Sequence, residues 1–524
     1  MTSTSDLLST YDRPDACVAR FLCDDHPVGD IAFTVIEGDL TSRDVTFGEL
    51  RDASARLAGA LAGLGVGRGD RVATLISKSA ELVVSVLAIW RLGAVQVPLF
   101  TAFAPPAIET RTGGVPVVIA DPSQRAKLDE VPGQRRVVVT GAASGDDLAF
   151  ADLVRAEPLP EPVAVGGDGT IIELFTSGTT GTPKGVPIPA RALAAFRMYQ
   201  EYGLDHQADD VFWNAADPGW AYGLYYGVIG PLTLGQRSLL LHAGFSPELT
   251  YSVLERFGVT NFTAGPTVYR ALRNADTPVP AGLRLRHCSS AGEPLNPDVI
   301  EWADEALGVP ILDHYGQTEL GMAIGNGWHP DIRGPLRPGS MGRSLPGWRA
   351  EVLLPDVDDV APDGQHGRVA IDLHHSPLMW FTGYRDAPER TAERFSADGR
   401  WYFTGDVATR SADGYFTFAS RDDDVILMAG YRIGPFEVES VLLQHDAVAE
   451  AAVVGLPDEL RGEVLTAFVV PRQGAETGES LVRELQQLVK TRYAAHAYPR
   501  QVHFVPELPK TPSGKVQRFL LRKS

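Results

Sequence analysis

Thr176-Ser177-Gly178-Thr179-Thr180-Gly181-Thr182-Pro183-Lys184-Gly185 follows an apolar run, Ile171-Ile172-Glu173-Leu174-Phe175, that reads as a buried strand. Three glycines, four threonines, a serine and a lysine in ten residues suit a loop folded around anionic oxygens. Glycine lets the chain turn with positive φ. Successive N–H groups can then converge on phosphate, with hydroxyls and a lysine adding donors and charge. The spacing is not that of the nucleoside-triphosphatase P-loop, which requires Gly-Lys followed by Ser or Thr; here Gly185 follows Lys184. A Gly/Thr-rich turn alone is more often an ordinary loop, so its reading depends on the rest of the chain.

At 524 residues the chain exceeds one ordinary core, and two or three domains are expected. An apolar fraction of 44% with 22% charged residues fits a soluble globular protein. No run of about 18 apolar residues marks a membrane span. The polar start, Met1 to Tyr11, lacks the pattern of a signal peptide, so the expected compartment is the cytosol. A net charge of −19 argues against a nucleic-acid surface, because phosphate contacts need clustered Lys and Arg. Cys17, Cys23 and Cys288 form no CxxC pair, which disfavours a zinc site or disulfide framework.

Strand and helix patterns alternate from Val45 onward, through Arg71–Ile76, Ala80–Leu92 and Ala94–Leu99, and argue for a parallel α/β sheet. Residues 1–45 read as irregular or short-stranded. From about 340 short strands with turn signals suggest a β-rich subdomain, and a compact α+β unit follows Arg421-Asp422-Asp423-Asp424. The expected fold is thus α/β: a large N-terminal domain of parallel α/β subdomains plus a small β-rich subdomain, then a small α+β C-terminal domain.

Two further segments share the chemistry of the opening loop: Tyr315-Gly316-Gln317-Thr318-Glu319, and Leu508-Pro509-Lys510-Thr511-Pro512-Ser513-Gly514-Lys515. With Trp401-Tyr402-Phe403-Thr404-Gly405-Asp406, Ser420-Arg421-Asp422-Asp423-Asp424 and Gly430-Tyr431-Arg432-Ile433-Gly434, these ordered motifs resemble the adenylate-forming (AMP-binding) superfamily. From about residue 45 the chain looks most like short- and medium-chain acyl-CoA synthetases.

That resemblance implies a site, residue by residue. Thr176, Ser177, Gly178, Thr179, Thr180, Gly181 and Lys184 would hold the β- and γ-phosphates of ATP. Asp313, His314, Tyr315, Gly316, Gln317 and Thr318 would line adenine and the α-phosphate, Ala291, Gly292 and Glu293 would wall the purine, and Glu319 would ligate Mg²⁺. Asp406 would accept the ribose hydroxyls, and Arg421 would contact ribose or phosphate. Lys515 would be the catalytic lysine, with Thr318 and Glu319 beside the reacting centre. For CoA the resemblance implies Gly430, Tyr431, Arg432, Arg461, Lys490 and Tyr498. Ala429 stands where relatives often have Ser, Ser420 where Gly commonly precedes the Arg, and the stretch after Thr112 is compressed. Gly316 replaces a bulky Trp of acetyl-specific members, and reads as room for a longer acyl tail. Trp213, Trp220, Tyr225 and Tyr226 read either as an acyl pocket or as core packing.

The implied reaction is ATP-dependent conversion of a small carboxylic acid to acyl-AMP with loss of pyrophosphate, then transfer to CoA after rotation about Asp423. That rotation sets expected domains at 1–422 and 423–524. Loading of a carrier protein, or a non-catalytic nucleotide-binding module, are the alternatives. The acid, and whether the chain forms a homo-oligomer, stay open.

Overall fold

The computed structural model describes residues 2–176, 183–428, 431–458, 462–511 and 515–523, and for residues 431, 432 and 462 the backbone alone. A seven-stranded sheet runs in the order Leu148–Ala149, Arg136–Val139, Val117–Ala120, Arg71–Leu75, Val95–Pro98, Thr170–Thr176, Lys184–Pro189. All neighbours are parallel except the last two, which form an antiparallel hairpin with Thr176 opposite Lys184. The opening loop of the sequence therefore joins two strands at a sheet edge.

Local chemistry explains the helices that cover this sheet. The helix Phe47–Gly63 starts at a reciprocal cap: Thr46 Oγ1 accepts from the Glu49 N–H (3.2 Å), and Glu49 accepts from the Thr46 N–H (2.7 Å). The helix Ala80–Arg91 is apolar almost all round and is buried accordingly.

A second path of 13 strands carries most of the site. Its parallel part pairs Ile31–Glu37, Ser238–His242, Phe212–Asn214, Asn261–Ala264, His287–Ala291 and Ile311–Gln317. The short strands after 340 do not stand apart. They continue antiparallel from Gly321–Gly325 through Ser340–Ser344 to Phe416–Arg421, Trp401–Arg410, Gly367–Asp372 and Ala350–Leu353. The expected β-rich portion is thus hydrogen-bonded to the edge of the central sheet.

A 3₁₀ turn, Asp422–Asp424, leads into a third sheet built from Tyr431–Ile433, Ile426–Met428, Gly462–Pro471, Val448–Asp458 and Gln501–Phe504. It has its own apolar core around Val438, Leu465 and Leu485.

One expectation needs correction. Residues 1–45 are more ordered than expected: a helix spans Thr4–Tyr11, capped by Ser3 and Asp6, and Ile31–Glu37 is a buried strand paired with Ser238–His242. That pairing partner lies some 200 residues away, so the local pattern understates the strand. The aromatic stretch after Trp220 is helical over Ala221–Gly223 and Leu224–Ile229. Among the described residues no helix is long and apolar enough to cross a membrane.

Candidate active site

The carboxyl end of Ile311–Gln317 and the middle of Trp401–Arg410 bring the polar motifs together. Asp406 is 3% exposed, and both of its carboxylate oxygens are engaged. Oδ2 accepts from the Tyr315 hydroxyl and from Gln317 Nε2 (2.8 Å), and Oδ1 faces Arg421 Nη1 at 3.2 Å. Gln317 Nε2 also donates to the Thr404 carbonyl (2.9 Å), and Tyr402 donates to Gln317 Oε1 (3.0 Å). Asp406 raises the Arg421 guanidinium further above its already high pKa, more than burial lowers it. A carboxylate offers about four acceptor positions. Three are taken here, so a ribose hydroxyl must replace a resident donor or use the remaining one.

Glu319 is buried beside this cluster and accepts from the Tyr384 hydroxyl at Oε1 (2.8 Å). Arg394 Nε donates to the same hydroxyl (3.2 Å), and the Lys184 ammonium lies 4.9 Å from the centre of the Tyr384 ring. Desolvation pushes Lys184 below the usual lysine pKa; Arg394 and Arg390 act the same way, while Glu393 and Glu319 oppose them. Thr318 presents its carbonyl to the Tyr225 hydroxyl (3.1 Å).

Lys515 reaches this site from the third sheet's side. Its N–H donates to Thr511 Oγ1 (3.1 Å), its carbonyl accepts from the Thr511 N–H (2.7 Å), and Lys510 bridges Val516. The ammonium stands 5.8 Å from the centre of the Trp220 ring. Lys515 keeps much of its own surface in solvent, but protein crowds its ammonium and pushes the pKa down. The carboxylates of Glu293, Asp406 and Glu319 oppose that shift, and Arg421 adds to it. Trp220 in turn leans on the wall residue Gly292, where φ is +108° and a Cβ would meet Cη2 of the indole at 2.5 Å. Glu293 is paired with Arg270 and Thr267.

Not every expected residue faces the site. His314 is 2% exposed and both ring nitrogens are engaged, Nδ1 with the Tyr199 hydroxyl (2.6 Å) and Nε2 with the Asn326 carbonyl (3.0 Å). Burial lowers its pKa to about 4. Asp313 is likewise buried, with Oδ2 accepting from the Leu295 N–H (3.4 Å) and Oδ1 unpartnered among the described residues; desolvation holds its carboxyl well above the usual range. Gly316 has a different cause from the one expected: a Cβ there would come within 2.0 Å of the Gly321 carbonyl, so the glycine serves close strand approach at a bulge, not acyl space. Of the four aromatics, Trp213, Tyr225 and Tyr226 are core residues, Trp213 packing on Phe262 and both tyrosines on Phe196. Trp220 borders the site, and Tyr225 reaches it through its hydroxyl on the Thr318 carbonyl.

Lys490 and Tyr498 meet on the third sheet's domain, with the Lys490 ammonium 4.0 Å and the Arg500 guanidinium 3.7 Å from the ring centre. Ser177, Gly178, Thr179, Thr180, Gly181, Gly430 and Arg461 lie outside the described residues, as do the side chains of Tyr431 and Arg432. Thr176 ends its strand opposite Lys184. Tyr384, Arg394 and the Trp220–Lys515 contact escape a reading of the sequence, because a lone aromatic or arginine between motifs carries no local signal.

Residues 23–383 match the AMP-binding enzyme family, and residues 437–515 match the AMP-binding enzyme C-terminal domain. The chain belongs to the AMP-binding enzyme family. An acetyl-coenzyme A synthetase of Bacillus subtilis (strain 168) is 37% identical over 491 residues, covering 91% of this chain and 84% of the relative. The mitochondrial acyl-coenzyme A synthetase ACSM3 of Mus musculus is 36% identical over 508 residues, covering 94% and 86%. Among solved structures, a Brucella canis acyl-CoA synthetase is 44% identical, with a TM-score of 0.74 over 100% of this chain and 99% of the other. A benzoate CoA ligase from Burkholderia xenovorans LB400 is 30% identical, with a TM-score of 0.85 over 96% and 99%.

Proposed function

We propose that this chain is an AMP-forming acyl-CoA synthetase that activates a short- to medium-chain carboxylic acid. The observation that carries this reading is the meeting of Lys515, from the chain's last residues, with the Asp406–Arg421–Glu319 cluster of the central sheet, over Trp220. Four cations around one polar cleft in a chain of net charge −19 suit a polyphosphate substrate.

The acid's carboxylate is ionised at pH 7, so no general base is required. It attacks the α-phosphorus of ATP as pyrophosphate departs, giving acyl-AMP. Catalysis is then positioning and electrostatic stabilisation of the phosphoryl oxygens. Lys515 would neutralise charge at the reacting phosphoryl, and Lys184 would serve the leaving group. Asp406 would take the ribose hydroxyls, exchanging a donor such as Tyr315 or Gln317. The strand Ile311–Gln317 would edge the adenine, with Gly292 and Glu293 behind it.

Glu319 fits Mg²⁺: it is a buried carboxylate with one oxygen held by Tyr384 and the other left for a hard cation that completes its shell with phosphate and water. When bound, Mg²⁺ supplies charge neutralisation between the phosphates.

For the second step we place the boundary at residues 422 and 423, with a lid domain of 423–524 turning about Asp423 to withdraw Lys515 and admit the CoA thiol. The stacked Lys490–Tyr498–Arg500 group supports CoA, since cations around an aromatic ring suit a purine and its phosphates. A pyrophosphate-release screen over acetate to octanoate and benzoate, with and without CoA, tests the reading. Release with an aliphatic acid and thioester formation on CoA are expected; no release with any acid, or thioester on a carrier protein alone, contradicts it.

A further inference from the structure

A cavity of about 560 Å³ lies on the outer side of the phosphate hairpin, within the size range of small-ligand sites. It shares a wall with the reaction site. Successive residues face the two spaces: Tyr384 donates to Glu319, whereas Arg385 donates to Glu173 on the cavity side (2.6 Å). The hairpin divides in the same way. Lys184 stands over Tyr384, while a Cβ on Gly185 would meet Glu173 Oε1 at 2.9 Å.

The lining is cationic in an acidic chain. Arg71, Lys184, Arg385 and Arg390 are set against Glu173 and Asp386. Glu173 is 1% exposed and already shared by Arg71 (3.6 Å) and Arg385, while Asp386 is 91% exposed on its side chain and turned to solvent. Arg390 pairs only with Glu393 on its own short helix at 3.2 Å among the described residues, and Lys184 makes no ion pair among them. Glu173 thus fixes two guanidinium groups, Asp386 adds an exposed partner to Arg385 (3.5 Å), Arg390 is held by Glu393, and the lining still sets four cations against two carboxylates. Guanidinium groups in a fixed fork suit the oxygens of a phosphoryl anion.

We propose that this cavity is a second anion site that receives inorganic pyrophosphate, with Lys184 common to it and to the reaction site. This rests on the adenylating reading for the source of the pyrophosphate, not for the existence of the site. No bond is made or broken in it. The leaving group passes from the phosphoryl site to Arg385 and Arg390 across the wall that Lys184 and Tyr384 form.

Calorimetric titration of the full chain with pyrophosphate, with the nucleotide site saturated by α,β-methylene-ATP and no carboxylate present, tests the site directly. One equivalent of pyrophosphate is expected to bind. Arg390→Glu, on an exposed side chain with no buried partner, should weaken it at least tenfold, and Arg385→Lys should weaken it less while keeping the Glu173 pair. Orthophosphate in place of pyrophosphate should bind more weakly, which separates a two-phosphate site from a general anion site. Absence of that equivalent, orthophosphate binding as tightly, or unchanged affinity in Arg390→Glu overturns the proposal. Because no acid is needed, a chain that adenylates nothing still gives an answer.

Discussion

The two halves of the candidate site are held in opposite ways. On the central sheet, Asp406 is fixed by Tyr315, Gln317 and Arg421, and Glu319 by Tyr384, itself tied to Arg394. Every member is buried or half-buried, and each bond to a charged group contributes about 1.5–3 kcal/mol. The Lys515 turn is mounted equally firmly, but on its own domain. Arg518 grips Glu439 with two contacts of 2.8 Å, and Arg522 donates to Asp424 (2.5 Å) in the turn leading to the third sheet. Among the described residues, Lys515 touches the central sheet's side only at Trp220. A cation–π contact at a partly solvated site is worth about 0.5–1 kcal/mol. Lys515's own tie to the central sheet's side is thus weak; its domain also meets that side where Phe436 packs on Phe418 and Glu437 lies 3.7 Å from His366. Asp423 lies between the halves, its carboxylate 3.7 Å from Arg421 and its carbonyl accepting from Arg522 (3.4 Å).

The largest way to break this contrast is to remove the Lys515 charge. Lys515→Ala should slow pyrophosphate release by about 10²–10³-fold, the scale for losing one preorganised charge, with thermal stability little changed because, among the described residues, only a weak cation–π contact with Trp220 holds the ammonium. A drop in melting temperature would instead place Lys515 in the structural half. Asp423→Pro fixes the backbone between the halves. It should leave adenylation near normal and lower thioester formation by about 10²-fold; equal rates for both steps would remove Asp423 as the pivot.

Tyr384→Phe probes the fixed half. Loss of one hydrogen bond to a buried carboxylate costs about 1.5 kcal/mol, so adenylation should fall roughly tenfold and the melting temperature should also fall. A change in thioester formation alone would contradict the placement of Tyr384 beside Glu319.

The smallest effect is in pH dependence. Lys515 and Lys184 both lie below the usual lysine pKa, chiefly through desolvation. Each acts protonated, so kcat/KM for ATP should decline on the alkaline side at a pH below that of a free lysine, about 10.4. Arginine stays charged, and Lys515→Arg and Lys184→Arg should each move that limb upward. A limb unmoved in both variants would assign it elsewhere.

Much of this was legible in the order of motifs. The apolar run before Thr176, the acceptor Asp406 after Thr404-Gly405, and the lysine after Ser513-Gly514 each announce local backbone and charge. Tyr384 and Arg394 were not legible, because their meaning lies in Glu319, 65 residues from Tyr384 in sequence. Gly316 was misread for a related reason: the space beside it is filled by the backbone at Gly321, which only strand pairing reveals. His314, inside a polar motif, turned into the core for want of any marker of which strand face is buried.

The central claim is that Lys515 serves the first step alone. Single-turnover thioester formation by Lys515→Ala, from supplied acyl-adenylate and CoA, tests it most directly. A rate within a few-fold of the unaltered chain is expected beside the 10²–10³-fold loss in pyrophosphate release. An equal loss in both steps would contradict the account.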